Sequence, residues 1–197
     1  MRAVAVLAVL FYHLDFALFE GGFIGVDVFF VISGFLITRI IKDEVERTGG
    51  FRFGGFYLRR IRRLIPALLC TVAASYLFGH LLFPPPMMHA FAESAVAAVL
   101  CVSNLLFYSQ ADYFDALAQT KPLLNTWTLG VEMQFYLVWP AVLLGLLALK
   151  RRWAPVAFVA GVIIGSTLLA AYWLSDEPSA AFYLLPARAG ELAMGGL

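Results

Sequence analysis

The chain has 197 residues, of which 62% are hydrophobic and only 14% are charged, and its formal net charge is +1. Soluble domains are typically about half apolar and about a quarter charged, so this composition excludes an ordinary water-soluble domain and indicates lipid as the solvent for much of the surface. Cys70 and Cys101 lie inside apolar runs, which is typical of buried small residues and indicates neither a disulfide nor a metal site.

Seven apolar stretches follow one another along the chain. They cover residues 3–19, 21–41, 64–83, 90–109, 123–149, 153–174 and 180–197. A membrane-spanning helix needs about 20 mostly apolar residues, and a lone segment in hydrocarbon must pair its own backbone groups, so helices are predicted. We expect an all-α, polytopic transmembrane helical bundle with about six to seven spans. Residues 1–197 are predicted to be a single membrane domain, with N- and C-terminal parts expected to be missing.

The basic segment 42–63 is predicted to be cytoplasmic by the positive-inside rule. Simple alternation of the spans then puts the basic cluster 150–152 on the opposite side. Either this cluster is an exception, or a piece between residues 84 and 121 does not cross the membrane fully.

Arg2 and His13 are the polar residues that mark the first apolar stretch. They are eleven positions apart, so on a helix they share one stripe and lie roughly 16 Å apart along its axis. A long ligand on this stripe can meet Arg2 with an anionic head and His13, deeper in the span, with its reactive end. An interfacial arginine and a histidine bonded within the bundle would explain the same pattern.

The second stretch contains small and polar residues inside an apolar run. Gly22, Gly25 and Gly34 permit close helix contacts. Asp27 and Ser33 are candidates for structural or substrate-binding roles. A charge such as that of Asp27 costs roughly 2.5–3.5 kcal/mol at bilayer depth, so it needs a partner or a function. A hydroxyl such as that of Ser33 more often bonds to its own helix backbone than acts as a nucleophile.

Four arginines follow in the segment "FYLRRIRRLIP". Arg59, Arg60, Arg62 and Arg63 form pairs three apart, which are neighbours on a helix. Guanidinium groups at a membrane surface suit phosphate, whether on a soluble ligand or on an anionic lipid.

Glu132 stands alone in the apolar segment "LLNTWTLGVEMQFYLVWP". Thr128 and Tyr136 lie at helical spacing from it and are its predicted hydrogen-bond partners. Trp127 and Trp139 are predicted to lie in the aromatic belt at the membrane interface. Glu132 is a protonated structural hydrogen-bond donor, a charge partner for a buried arginine, or part of a substrate site. Trp127 is a further candidate for a substrate contact.

Together, the segments "RAVAVLAVLFYH", "GGFIGVDVFFVISGFLI", "FYLRRIRRLIPAL", "WTLGVEMQFYLVWP" and "FYLLPARAGELAMGGL" resemble, in this order, the acyltransferase-3 family of integral-membrane O-acyltransferases. Position 125 is asparagine where the family more often has histidine, and the family's residues before its first arginine are missing here. The resemblance covers nearly the whole chain.

The resemblance implies a function and assigns roles to the residues. It implies transfer of an acyl group, expected to be acetyl, from an acyl-CoA to a hydroxyl of a surface carbohydrate or lipid-linked sugar. Acetyl-CoA would be a co-substrate, no cofactor or metal is expected to be bound, and nucleic acid is not an expected partner. The protein would span the bacterial inner membrane several times. The implied catalytic residues are His13, as general base, and Glu132, and the implied donor-phosphate residues are Arg2, Arg59, Arg60, Arg62 and Arg63.

Two other functions fit parts of the sequence. Intramembrane histidine and carboxylate groups also suit a proton-coupled transporter, although internal repeats are not evident. A non-catalytic membrane partner is the third hypothesis.

Overall fold

The computed structural model describes residues 2–14, 16–114, 121, 123–149, 151 and 153–196, without the side chains of residues 2, 17 and 112–114. Within these ranges every regular element is helical. The α-helices are α1 (Arg2–His13), α2 (Gly25–Thr48), α3 (Phe53–Leu82), α4 (Pro85–Val99), α5 (Ser103–Phe114), α6 (Trp127–Ala148), α7 (Ala154–Asp176), α8 (Pro178–Tyr183) and α9 (Leu185–Met194). Short 3₁₀ turns precede α2 and α6 at Gly22–Ile24 and Leu124–Thr126.

Four helical segments of the described chain are long and apolar enough to cross a membrane. They are Gly22–Thr48, Phe53–Leu82, Leu124–Ala148 and Ala154–Asp176. The all-α transmembrane bundle expected from the sequence is thereby confirmed.

The other three apolar stretches form shorter helices than the sequence predicts. α1 has 12 residues and is about 18 Å long, well short of the roughly 30 Å hydrocarbon core. The stretch 90–109 breaks between α4 and α5, where Cys101 has a φ of 57°. The stretch 180–197 bends at Leu184, whose extended backbone precedes α9 and its early Pro186. The α4–α5 break falls between residues 84 and 121, where an incomplete crossing is one of the two explanations of the charge pattern.

The core lies where α2, α6 and α9 meet. Its fully buried apolar side chains include Phe30, Ile37, Ile41, Val131 and Leu192. α2 and α6 run in the same direction, because Phe30 contacts Trp127 (ring centroids 6.0 Å apart) and Thr38 bonds to Trp139 further along. α3 runs the opposite way, since Tyr57 near its start bonds to the carbonyl of Leu137 at 2.9 Å, whereas Arg60, further along α3, contacts Tyr136, which precedes Leu137 in α6.

Three positions differ from the sequence-based predictions. Trp127 and Trp139 are each only 4% exposed, so they are packed inside the bundle and are not interfacial belt residues. The indole nitrogen of Trp139 donates to Thr38 Oγ1 at 2.8 Å, which removes its need for water. Cys70 is exposed on α3, not buried, because that face of α3 is turned away from the other helices.

The predicted role of the glycines in α2 and in the 3₁₀ turn before it is confirmed. Gly22 and Gly25 lie against the backbone of α1, and Gly34 lies against α9. The bundle has two ends, each marked by a connection between helices. We call the end that holds the described part of the α1–α2 connection (residues 14 and 16–24) the turn end. The end that holds the α2–α3 corner (residues 49–52) is the basic end.

Gly34→Ala is expected to destabilise the fold by about 1–3 kcal/mol, because a Cβ at this position would overlap the carbonyl oxygen of Leu192 and push α9 away from α2. Gly161→Ala is the matched control, since nothing lies within 4 Å of a Cβ there. The control should be neutral or stabilising by the helix propensity gained, up to about 1 kcal/mol. Thermal unfolding in detergent measures both, and equal transition temperatures for the two variants would contradict the close contact.

Candidate functional site

Arg188 in α9 holds two carboxylates together near the turn end. Its Nη1 lies 3.2 Å from Asp27 Oδ1 in α2 and 2.8 Å from Glu191 Oε1, one helical turn further along α9. The Arg188 side chain is only 18% exposed, and its Nε donates to the Phe182 carbonyl at 3.2 Å. Because water screens this cluster poorly, the three charges depend on one another. We call Asp27, Arg188 and Glu191 the ion triad.

Aromatic rings flank the guanidinium of the ion triad. Arg188 Cζ lies 5.9 Å from the ring centroid of Trp127 and 5.3 Å from that of Phe182. These are cation–π distances, which suit a guanidinium held away from bulk water. One oxygen of the triad, Glu191 Oε2, is enclosed without a hydrogen-bond partner among the described residues. The triad therefore joins two candidates from the sequence, Asp27 and Trp127, through a residue that was given no role.

Polar side chains of α5 and α6 fix the neighbouring backbone. Ser103 Oγ donates to the carbonyl of Thr126 at 2.8 Å, at the start of α6. Asn104, which is fully buried, accepts from Gln134 Nε2 at 2.9 Å and donates to the carbonyl of Tyr183 at 3.2 Å. The beginning of α6 and the end of α8 are thus both bound to α5. Their positions set the gap between Trp127 and Phe182 in which Arg188 lies.

Glu132 lies deeper in the bundle than the ion triad. It is 4% exposed, and the hydroxyl of Tyr136 donates a hydrogen bond to its Oε1. The predicted pairing of Glu132 with Tyr136 is confirmed, whereas Thr128 instead donates to the carbonyl of Asn125 at 2.9 Å. Ser33, on α2, is fully buried in the same bundle.

The four arginines of α3 do not share one environment. Arg60 is buried, with its Cζ 5.8 Å from the ring centroid of Phe56 and 5.4 Å from that of Tyr136. Arg59, Arg62 and Arg63 are exposed, and their spacing of three and four places them on one side of the helix. We call Arg59, Arg62 and Arg63 the basic face. Arg60 instead links α3 to the Tyr136–Glu132 pair.

His13 ends α1 at the turn end and is exposed there, not enclosed deep in the bundle. Its Nδ1 lies 2.8 Å from the carbonyl of Val9. A carbonyl can only accept, so Nδ1 carries the proton and Nε2 of the neutral ring is left as an acceptor. The Arg2 side chain lies outside the described residues, so its predicted alignment with His13 stays a prediction.

Lys121 is the cation described in the connection before α6. Its Nζ lies 2.5 Å from Gln110 Oε1 and 5.4 Å from the ring centroid of Phe107. Burial lowers the pKa of Lys121, and the nearby charge of Glu93 partly opposes that effect. Among the described residues, no group of three or more His, Cys, Asp or Glu side chains could hold a metal ion.

The sequence contained a signal for the ion triad that reasoning from single stretches did not use. Arg188 and Glu191 are three positions apart in one apolar stretch, and Asp27 is an unpaired acid in another. Charges at bilayer depth pair with one another, so an arginine in one apolar stretch and an acid in another are candidate partners.

Comparison with known proteins identifies the family. A model of the family described as "Acyltransferase domain", Acyl_transf_3, matches residues 1–197. The peptidoglycan O-acetyltransferase OatA of Listeria monocytogenes is 38% identical over 99% of this chain and 32% of its own length. The putative peptidoglycan O-acetyltransferase YrhL of Bacillus subtilis is 36% identical over 99% and 31%, and the O-acetyltransferase OatA of Staphylococcus aureus is 35% identical over 99% and 32%.

The chain spans about a third of the length of these curated relatives. No solved structure is significantly similar to it. The family model matches the full length of the sequence, and helices α1, α2, α3, α6 and α9 carry the segments on which the resemblance was based. The chain therefore belongs to the acyltransferase-3 family.

Proposed function

We propose that the protein containing this chain transfers an acetyl group from an acyl-CoA to a hydroxyl of cell-wall carbohydrate, with peptidoglycan as the acceptor. The observation that carries the proposal is the match to the acyltransferase family over residues 1–197, together with relatives named as peptidoglycan O-acetyltransferases. The bacterial inner membrane is the proposed location, because acyl-CoA is on one side of it and the cell wall on the other.

His13 is the proposed general base. Its Nε2 would take the proton of the acceptor hydroxyl while the hydroxyl oxygen attacks the thioester carbonyl. An ester bond forms, the carbon–sulfur bond breaks, and the proton passes from the imidazolium to the departing thiolate. The bond from Nδ1 to Val9 at 2.8 Å supports this role, because it orients the ring and, in the neutral imidazole, makes Nε2 the acceptor.

The basic face is the proposed binding site for the phosphates of the donor. Its guanidinium groups are exposed and can form charge-assisted, bidentate hydrogen bonds with phosphate. Arg60 is not part of the proposed phosphate site, because it is packed between Phe56 and Tyr136. Near the turn end, the ion triad and Trp127 are the proposed neighbours of the acceptor. Glu132 is proposed to maintain the structure of the bundle between this acceptor region and the basic face.

Transfer by the full-length protein in proteoliposomes tests the proposed function. Acetyl-CoA is supplied on the side of the basic end, peptidoglycan fragments on the side of the turn end, and acetyl esters are quantified. Ester formation that depends on both substrates supports the proposal. Proton flux coupled to solute movement without ester formation would support the transporter hypothesis instead.

Arg62→Ala combined with Arg63→Ala is expected to raise the KM for acetyl-CoA by about tenfold or more, because each hydrogen bond to a charged group contributes about 1.5–3 kcal/mol. The value of kcat should change little, since these contacts exist equally in the ground state and the transition state. Arg151→Ala is a control at an exposed arginine outside the basic face. A lower kcat at unchanged KM would contradict donor binding by the basic face.

A further inference from the structure

Glu44, near the end of α2, makes an ion pair with the basic face. Its Oε2 lies 2.6 Å from Arg59 Nη2, and its Oε1 accepts a hydrogen bond of 3.1 Å from the backbone N–H of Arg52. Both carboxylate oxygens are therefore occupied, one of them by backbone. The Glu44 side chain is only 10% exposed, whereas that of Arg59 is 58% exposed.

The corner between α2 and α3 keeps Glu44 in this position. α2 ends at Thr48, and Gly49 takes a left-handed φ of 72° that L-residues with a side chain rarely adopt. Thr48 Oγ1 lies 2.8 Å from the carbonyl oxygens of both Glu44 and Gly50, which share its single proton. Glu44 is thus held by a backbone N–H at a closed corner and lies on the buried side of its pair with Arg59.

The pair leaves Arg59 partly neutralised. Arg62 and Arg63, the other members of the basic face, are exposed. A phosphate on the basic face would gain attraction from three guanidinium groups and would also meet the repulsion of one fixed carboxylate beside Arg59.

We propose that Glu44 is an internal counter-ion that weakens phosphate binding on the basic face and so sets its affinity. The inference rests on the proposed function only in taking the ligand to be the acyl-CoA donor. The phosphate of a lipid headgroup would be attracted by the same guanidinium groups and repelled by the same carboxylate. Glu44 is an affinity-determining residue, since it acts through Arg59 and not on the reacting atoms.

Glu44→Gln removes the charge and keeps the shape of the side chain. With the full-length protein in nanodiscs of phosphatidylcholine, adenosine 3′,5′-bisphosphate, which carries phosphates of coenzyme A, is expected to bind roughly three- to tenfold more tightly to the variant. The difference should shrink as salt is raised from low to about 1 M, because charge repulsion is screened. A merely structural role of Glu44 predicts weaker binding.

Asp43→Asn is the matched control. Asp43 is the neighbouring residue, so the control removes the same net charge, but its own pair with Arg39 is exposed at 65% and 67% and has a separation of 3.7 Å. The Asp43→Asn variant should bind the nucleotide with the same affinity as the wild type. In an Arg59→Ala background, Glu44→Gln should add little, because the coupled partner is gone. Equal tightening by both neutralising variants, or an effect of Glu44→Gln that persists without Arg59, would overturn the proposal.

A second arm distinguishes the two sources of phosphate. Retention of phosphatidylglycerol by wild type and Glu44→Gln is compared in mixed nanodiscs by lipid mass spectrometry. Tighter lipid retention with no nucleotide binding by either protein supports the counter-ion and contradicts the donor site of the proposed function. Nucleotide binding by the wild type that Glu44→Gln leaves unchanged or weakens, with unchanged lipid retention, overturns the counter-ion and leaves the donor site standing. Absence of any change in both arms overturns the counter-ion as well.

Discussion

His13→Ala in the full-length protein is expected to reduce acetyl transfer by about 10²–10⁴-fold, the usual contribution of a positioned general base. The loss should appear in kcat for the acceptor reaction, because a general base at His13, as proposed, would act on the hydroxyl only as the bond to the acetyl carbon forms. Nucleotide binding at the basic face should not change, since His13 lies at the other end of the bundle, next to the α1–α2 connection. Acetyl-ester formation and donor affinity measure the two effects separately.

His89→Ala is the matched control for this prediction. His89 is also exposed, and its Nδ1 lies 3.5 Å from Glu93, one turn away on α4. Its removal should leave transfer within about twofold of the wild type, as is usual for surface substitutions. Full activity in His13→Ala, with intact insertion into the membrane, would exclude His13 as the base and would return Glu132 or a residue outside this chain to consideration.

Arg188→Met is expected to destabilise the bundle by about 3 kcal/mol or more, because it leaves Asp27 and Glu191 facing each other without a cation. Methionine keeps much of the volume, so the loss reports charge pairing and not a cavity. The partial exposure of Asp27, at 40%, places the expected cost toward the lower end for a broken buried pair. Thermal unfolding, followed by tryptophan fluorescence, measures it.

Arg39→Met is the corresponding control in α2. The Arg39–Asp43 pair is solvent-exposed on both sides at a separation of 3.7 Å, so it should contribute at most about 1 kcal/mol. In addition, Asp27→Asn combined with Glu191→Gln should recover part of the stability lost in Arg188→Met, since the unpaired charges are then removed. An Arg188→Met protein as stable as the wild type would show that the triad does not hold α9 to α2.

Local patterns in the sequence were sufficient to predict several features. Hydropathy and length predicted the crossing helices α2, α3, α6 and α7, because the requirement for internally paired backbone acts on each segment alone. Helical spacing predicted the Tyr136–Glu132 hydrogen bond, because residues four apart are neighbours on one helix. The glycines of α2 predicted close approach, although not which helix would approach.

Features that depend on the neighbouring helix could not be predicted in this way. Arg59 and Arg60 are adjacent and chemically identical, yet one faces solvent and the other lies between two aromatic rings, because α3 presents only one side to α6. The burial of Trp127 and the ion triad likewise depends on α9 folding back against α2. Composition alone does not specify that contact.

The three contacts of α6 along its length restrict how the domain can move. Trp127 lies against Arg188 near one end, Tyr136 against Arg60 in the middle, and Trp139 against Thr38 further on. These contacts point to three different helices, so turning α6 about its axis by a single residue, about 100°, would break all of them at once. α6 is therefore held in one rotational position, and a rearrangement of the bundle that keeps these contacts must displace other elements.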